Sequence, residues 1–145
     1  MVEATFIASG KTSLEALEMA ASVASEVLLG SSNFIKSKKL DIFCDNIDDA
    51  NKLNEILWIK PKYSIIDHDL VNQEFNKLVQ IGYPGTKFSL ESDCIINVSP
   101  DLPKNLDTYK SYLQLVIMDG SSLRERAADT WTQCKKLGLD AKFLK

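Results

Sequence analysis

Short apolar runs and amphipathic helical segments alternate along this chain, and no other feature of the sequence limits its fold as much. The segment 3–9 alternates in polarity as a strand does, and Thr12 and Glu15 after it form the pattern of a helix capping box. The apolar residues that follow recur at helical spacing up to Gly30. A strand that leads directly into a helix is the repeating unit of α/β proteins.

The same pattern continues to the end of the chain. The further predicted strands are 39–45, 63–66, 78–83, 93–98 and 112–118. The further predicted helices are one capped by Asn46 and Asp49, a short one over 106–111, and a last one over 122–138 opened by a capping box of Ser122 and Glu125. The residues around His68 are predicted to form a loop. This order predicts a single α/β domain over residues 1–145, with a mostly parallel central sheet and helices on both faces.

Charge is distributed unevenly between the two ends of the chain. Residues 1–109 carry 10 basic and 16 acidic side chains, whereas residues 110–145 carry 7 basic and 4 acidic ones, including both arginines, Arg124 and Arg126. The overall charge of −3 argues against bulk electrostatic binding of nucleic acid, including direct binding of single-stranded DNA by the basic segment. Arginine is instead well suited to forked recognition of carboxylate or phosphate groups.

Cysteine and histidine offer little for metal or nucleophilic chemistry. Cys44, Cys94 and Cys134 are widely separated in apolar segments, so we expect buried, reduced thiols. His68 is the only histidine, which leaves no partner for a zinc site or a catalytic pair. The first apolar run is too short for a secretory signal or a membrane span, so we expect a cytoplasmic protein without membrane association.

The loop after the first strand suggests an alternative function. Gly10, Lys11 and Thr12 stand where a phosphate-binding loop would lie, and Asp45 and Asp119 follow strands as magnesium ligands can. A complete Walker A motif needs a glycine where this chain has Thr5, and acids after strands commonly cap helices. A nucleotide-binding α/β enzyme that uses the 10–12 loop is therefore retained only as the second hypothesis.

The last predicted helix presents two different surfaces. At about 100° per residue, one face is predicted to pack on the sheet. That face consists of Leu123, Ala127, Thr130, Cys134 and Leu137. A neighbouring stripe, within about 40°, consists of Arg124, Ala128, Trp131 and Lys135, and we call it the basic stripe.

The basic stripe is suited to a peptide that carries carboxylates and a bulky apolar end. Arg126 points elsewhere, roughly 160° from Arg124. The alternative for the stripe is that Arg124 and Lys135 are merely solvated and that Trp131 is the edge of the core.

Four segments of the sequence resemble one protein family. They are the opening ATFI strand, the run KLDIFCDNIDDANKLNEILWIKP that leads to Ile66-Asp67-His68, the DCIINVSP strand, and the final LQLVIMDGSSLRERAADTW. In order and spacing, these segments are similar to the chi subunit of bacterial DNA polymerase III over nearly the whole chain. The piece LNEILW, with Pro61 and His68 after it, is the most diagnostic.

The resemblance implies a Rossmann-like, three-layer α/β fold and a non-catalytic accessory subunit of the clamp-loader complex. Such a subunit would belong to a DNA-directed DNA polymerase holoenzyme without chemistry of its own, and without a cofactor or metal. Its implied partners are the small psi subunit and the acidic, Phe-terminated tail of single-stranded DNA-binding protein. It would reach DNA only indirectly.

The resemblance also implies site residues. The tail-binding site would use Arg124, Trp131 and, as an apolar wall, Ile117. Ala128 stands at a position that is usually basic in the family, so either the tail binds more weakly or Lys135 supplies the missing charge.

For psi, the resemblance points to the segment around Trp58, Ile65 and His68. Many family members have Phe and Pro where this chain has Ile65 and Asp67, so this surface departs from the family pattern. The alternative for Trp58 is a place in the core.

Overall fold

The computed structural model describes residues 2–28, 39–59, 68–70, 79–88, 92–103 and 106–144, and its strands form one seven-stranded sheet. The strands are β1 (Glu3–Ala8), β2 (Leu40–Phe43), β3 (His68–Leu70), β4 (Val79–Gly82), β5 (Cys94–Asn97), β6 (Ser111–Val116) and β7 (Asp140–Leu144). The helices are α1 (Ser13–Leu28), α2 (Ile47–Ile59), α3 (Ser122–Lys136) and a short 3-10 helix, Leu106–Thr108. The strand order is β3-β4-β2-β5-β6-β1-β7, and each neighbouring pair is parallel.

Two hydrophobic clusters lie on opposite faces of the sheet. Successive strand residues point to opposite faces, so Leu40 and Ile42 of β2 enter the cluster under α1 and α2. Ala4 and Phe6 of β1 enter the cluster under α3 and the 3-10 helix. The predicted α/β class, with helices on both faces of a parallel sheet, is confirmed, and the arrangement is Rossmann-like in outline.

The starts of the first two helices follow the predicted capping patterns. The Glu15 amide donates to Thr12 Oγ1 at 3.2 Å, and the Lys11 amide donates to Glu15 Oε1 at 3.2 Å. The Asp49 amide donates to Asn46 Oδ1 at 2.8 Å. Each side chain satisfies an amide that has no partner within its helix, which fixes where α1 and α2 begin.

Three elements differ from those predicted. Strand β3 contains His68 in place of the predicted loop, and β7 was not predicted at all. The helix expected over 106–111 is only one 3-10 turn, because β6 already begins at Ser111. The predicted strand 63–66 falls in a part of the chain that the structure does not describe.

A carboxylate is buried inside the domain. Asp41 of β2 is fully buried and accepts hydrogen bonds from the Tyr109 hydroxyl at 2.5 Å and the Ser92 hydroxyl at 2.9 Å. Burial raises the pKa of Asp41 to about 6, although both hydroxyl donors and Lys39 act in the opposite direction. The charge of this group therefore changes close to neutral pH.

Candidate functional site

Helix α3 is capped by a residue that precedes it. Asp119 accepts hydrogen bonds from the amides of Ser121, Leu123 and Arg124 at 2.9, 3.3 and 3.1 Å, and the bonds from Ser121 are the main cause of the lowered pKa of this carboxyl. The N-cap residue is Ser121, and it makes no side-chain cap bond, so the predicted capping box of Ser122 and Glu125 is wrong. The carboxylate of Asp119, and not the Ser122 side chain, accepts the hydrogen bonds of the free amides and fixes the start of α3 shortly after β6.

Arg126 ties α3 to the carboxyl edge of the sheet. Its Nη2 donates to Asp101 Oδ2 at 2.7 Å and to Asp45 Oδ1 at 2.9 Å, and its Nε donates to Asp101 Oδ1 at 3.0 Å. Hydrogen bonding to Arg126 lowers the pKa of Asp101. Because Asp45 follows β2 and Asp101 follows β5, one guanidinium joins three elements. Arg126 is thus turned away from the basic stripe as predicted, whereas its two partners were not predicted.

The buried face of α3 matches most of its predicted residues. Ala127, Thr130 and Cys134 are buried, and Thr130 Oγ1 donates to Pro100 O at 2.5 Å. The prediction for Leu137 is wrong, because α3 ends at Lys136 and the Leu137 side chain is 63% exposed. The orientation of α3 on the sheet is therefore set by its three buried residues, by the hydrogen bond from Thr130 and by the ion pairs of Arg126.

The basic stripe lies along the outer side of α3. Arg124, Ala128 and Lys135 are exposed, and Trp131 is half-buried. The Trp131 ring packs edge-on against Phe6, with ring centroids 5.0 Å apart. Lys135 Nζ lies 4.9 Å from the centroid of the Trp131 ring and 3.3 Å from Ala141 O. Trp131 is therefore the edge of the core, as the alternative stated, and it is also a partly exposed aromatic beside a cation.

Two residues change the composition of this surface. Ile117 is only 4% exposed and belongs to the cluster under α1 and α2, whereas Trp131 packs against the cluster on the other face. The structure therefore does not bring Ile117 and Trp131 together. Phe143 of β7 was not predicted, yet it is 43% exposed and is aligned with Phe6, on which Trp131 packs. The alternation in the segment 140–144 was the available indication.

Two of the three residues assigned to psi belong to elements toward the other end of the sheet. Trp58 is in the last turn of α2, and His68 begins β3, which is the strand at the opposite edge from β7. Ile65 and the side chains of Trp58 and His68 fall outside the described residues. Their role in binding psi stays a prediction.

The geometry of the loop at Gly10 argues against the nucleotide-binding hypothesis. The Lys11 amide, which a phosphate would need, already donates to the Glu15 carboxylate. A Cβ atom on Gly10 would lie 2.6 Å from Glu15 Oε2, so a carboxylate of the chain itself fills this space. The crevice at the carboxyl ends of β2 and β5, where open α/β sheets usually bind ligands, is bridged by Arg126.

The three cysteines, Cys44, Cys94 and Cys134, are buried and free, as predicted. Burial raises the pKa of Cys94 to about 12. Across the described ranges, no three His, Cys, Asp or Glu side chains are grouped as a metal site would require. Within those ranges, no helix has the length and apolar character needed to cross a membrane.

The comparison with known families covers nearly the whole chain. The model of the family described as DNA polymerase III chi subunit, HolC, matches residues 1–142. No curated protein matches the chain. The matched range contains every strand and helix named above except the last two residues of β7. The chain therefore belongs to the DNA polymerase III chi subunit family, and it is an accessory subunit of that polymerase.

Proposed function

We propose that this chain bridges two partners in the clamp-loader complex, the psi subunit and the acidic C-terminal tail of single-stranded DNA-binding protein. It does so as one domain over residues 1–145, in the cytoplasm, without a catalytic step or cofactor of its own. DNA is reached only through these partners. The observation that carries the proposal is the basic stripe, because it presents exposed cations around a half-buried Trp131 on a helix that buried contacts and the Arg126 ion pairs join to the sheet.

The two arginines of α3 differ in what they have available for a partner. Arg126 is committed to Asp45 and Asp101. Arg124 is exposed, and in the part of the chain that the structure describes its guanidinium has no acidic partner. A carboxylate of an incoming peptide can therefore bind Arg124 in the forked geometry that arginine favours, without breaking an existing ion pair.

The elements that carry the two proposed binding regions lie toward opposite edges of the sheet. The basic stripe lies on the α3 face, next to the strands β1 and β7 at one end of the sheet. Of the residues proposed to bind psi, Trp58 belongs to the end of α2, on the other face, and His68 belongs to β3, at the other end. Separate faces and separate edges support a bridging role.

Ala128 provides a gain-of-function test of the stripe. We expect Ala128→Arg to strengthen binding of an acidic, Phe-ended peptide by about fivefold at low salt, because an exposed ion pair contributes up to about 1 kcal/mol. Ala128 is exposed on the stripe, so the new side chain needs no repacking. The measurement is a titration followed by fluorescence anisotropy of a labelled peptide.

The matched control for that test is Gln133→Arg. Gln133 is also an exposed residue of α3, but it lies outside the basic stripe. Both variants add one positive charge to the same helix. An equal gain in affinity for Gln133→Arg would show that net charge alone attracts the peptide, and it would contradict the proposed site.

A further inference from the structure

The strand β7 leaves one edge of the sheet open. In the described part of the chain it has a single strand neighbour, β1, so the N–H and C=O groups on its outer side have no ladder partner. The side chain of Lys135 donates to Ala141 O at 3.3 Å and covers one carbonyl of this strand. An open edge of this kind can pair with an extended segment of another chain.

An apolar surface runs from the basic stripe to this edge. Phe143 is paired in register with Phe6 of β1, and residues paired in a parallel sheet point to the same face. Because Trp131 packs on Phe6, Phe143 lies on the α3 face, next to Phe6 on the neighbouring strand. Its exposed fraction, 43%, leaves an aromatic surface at the edge, where an apolar side chain of an added strand would lie.

The charges around the edge favour an acidic occupant. Lys142 is exposed and alternates with Phe143, so it points to the opposite face of the sheet. Lys135 lies at the edge on the α3 face. A strand added to β7 would meet a cation on each face, which suits carboxylate side chains.

A second copy of this chain fits the edge less well. The two-fold antiparallel pairing that uses the whole of β7 aligns residue 142 of one copy with residue 142 of the other. Two lysines would then lie directly opposite each other, and like charges in that position destabilise strand pairing. Lysine on an edge strand is a common means of preventing self-association.

We propose that the outer edge of β7 binds an extended acidic peptide as an eighth strand of the sheet. Apolar side chains of the peptide contact Phe143 and Trp131, and its carboxylates pair with Lys135 and Lys142. This proposal rests on the proposed function and deepens it, because it states how the acidic tail is held: by backbone hydrogen bonds to β7 as well as by the basic stripe.

A backbone scan of the peptide tests this proposal without altering the protein. An acidic, Phe-ended peptide is made in versions that each carry one N-methylated amide, which removes one hydrogen-bond donor. Amides that face β7 alternate with amides that face away. We therefore expect affinity to fall roughly 2- to 12-fold when the methylated amide is one that faces β7, as for the loss of one hydrogen bond. Methylation of the amides that face away should change affinity little.

A pair of variants tests the side-chain contact. Phe143→Ala is expected to weaken binding of the unmodified peptide, and Phe143→Leu to retain most of the affinity, with circular dichroism confirming that both variants are folded. Loss of the alternating pattern, with binding still dependent on Arg124, would overturn strand addition and leave the proposed function intact. Binding that depends neither on alternate peptide amides nor on Arg124 would overturn both strand addition and the proposed function. Sedimentation velocity that shows concentration-dependent dimers, absent in Phe143→Asp, would assign the edge to a second copy and also overturn the proposal.

Discussion

Replacement of Arg124 by Ala is expected to weaken binding of an acidic, Phe-ended peptide roughly 5- to 150-fold, which corresponds to about 1 to 3 kcal/mol. The side chain is exposed in the first turn of α3, and among the described residues its guanidinium has no acidic partner. Its removal therefore deletes a contact to the peptide without leaving a buried charge unpaired. Stability of the folded chain should change by no more than about 0.5 kcal/mol, as for other exposed substitutions.

Two control variants make this result specific. Lys136→Ala also removes one cation from the exposed surface of α3, but Lys136 lies outside the basic stripe, so we expect its affinity to stay close to that of the natural sequence. Arg124→Lys keeps the charge and should retain a larger share of the affinity than Arg124→Ala. Isothermal titration calorimetry at two salt concentrations measures all three. If Lys136→Ala and Arg124→Ala weaken binding equally, the effect comes from net charge and the assigned contact is wrong.

Replacement of Asp41 by Asn is expected to change how stability depends on pH. The pKa of Asp41 is raised by burial from 3.8 to about 6 in the folded chain, so the folded state binds a proton more tightly than the unfolded state. The stabilising effect of that proton is complete below about pH 3.8, and it is lost as pH rises through about 6. The loss amounts to about 3 kcal/mol at pH 7 and above, and Asn at this position does not show it.

Urea unfolding at pH 4 and at pH 7.5 measures this prediction as a difference between the two proteins. The free energy of unfolding of Asp41→Asn minus that of the natural sequence should rise by up to about 3 kcal/mol between these two values. Asp93→Asn removes an exposed carboxylate just before β5 and serves as the control for the change in net charge. Equal pH profiles for Asp41→Asn and the natural sequence would show that Asp41 is not a buried charge.

The local patterns that predicted the fold were those in which neighbours in the sequence interact. The capping residues Thr12 and Asn46 lie three positions before the amides from which they accept hydrogen bonds, so their role can be deduced from a few residues. Among the described residues, strand β7 has only β1, at the other end of the chain, as its partner in the sheet. Its sequence, DAKFL, alternates in polarity, but five residues are too few to indicate a strand without that neighbour.

The candidate site was predictable to the extent that helical geometry defines it. The spacing of α3 correctly separated Arg126 from the basic stripe, but it could not identify Asp45 and Asp101, which lie 81 and 25 positions away in the sequence. Ile117 was assigned by resemblance alone, and its side chain enters the opposite cluster because it follows β6 on the α1 face. Asp119 caps α3 because the turn before the helix brings its carboxylate to the amides of the first helical turn.

The bridging role is tested most directly by capture of psi on an immobilised tail peptide. The acidic, Phe-ended peptide is fixed to a biosensor surface, and psi is applied alone, with this chain, and with the Arg124→Ala variant. The account predicts that psi is retained only when the unaltered chain is present, and that less psi is retained with Arg124→Ala. Binding of psi that displaces the chain from the peptide, or equal retention of psi without the chain, would contradict the account.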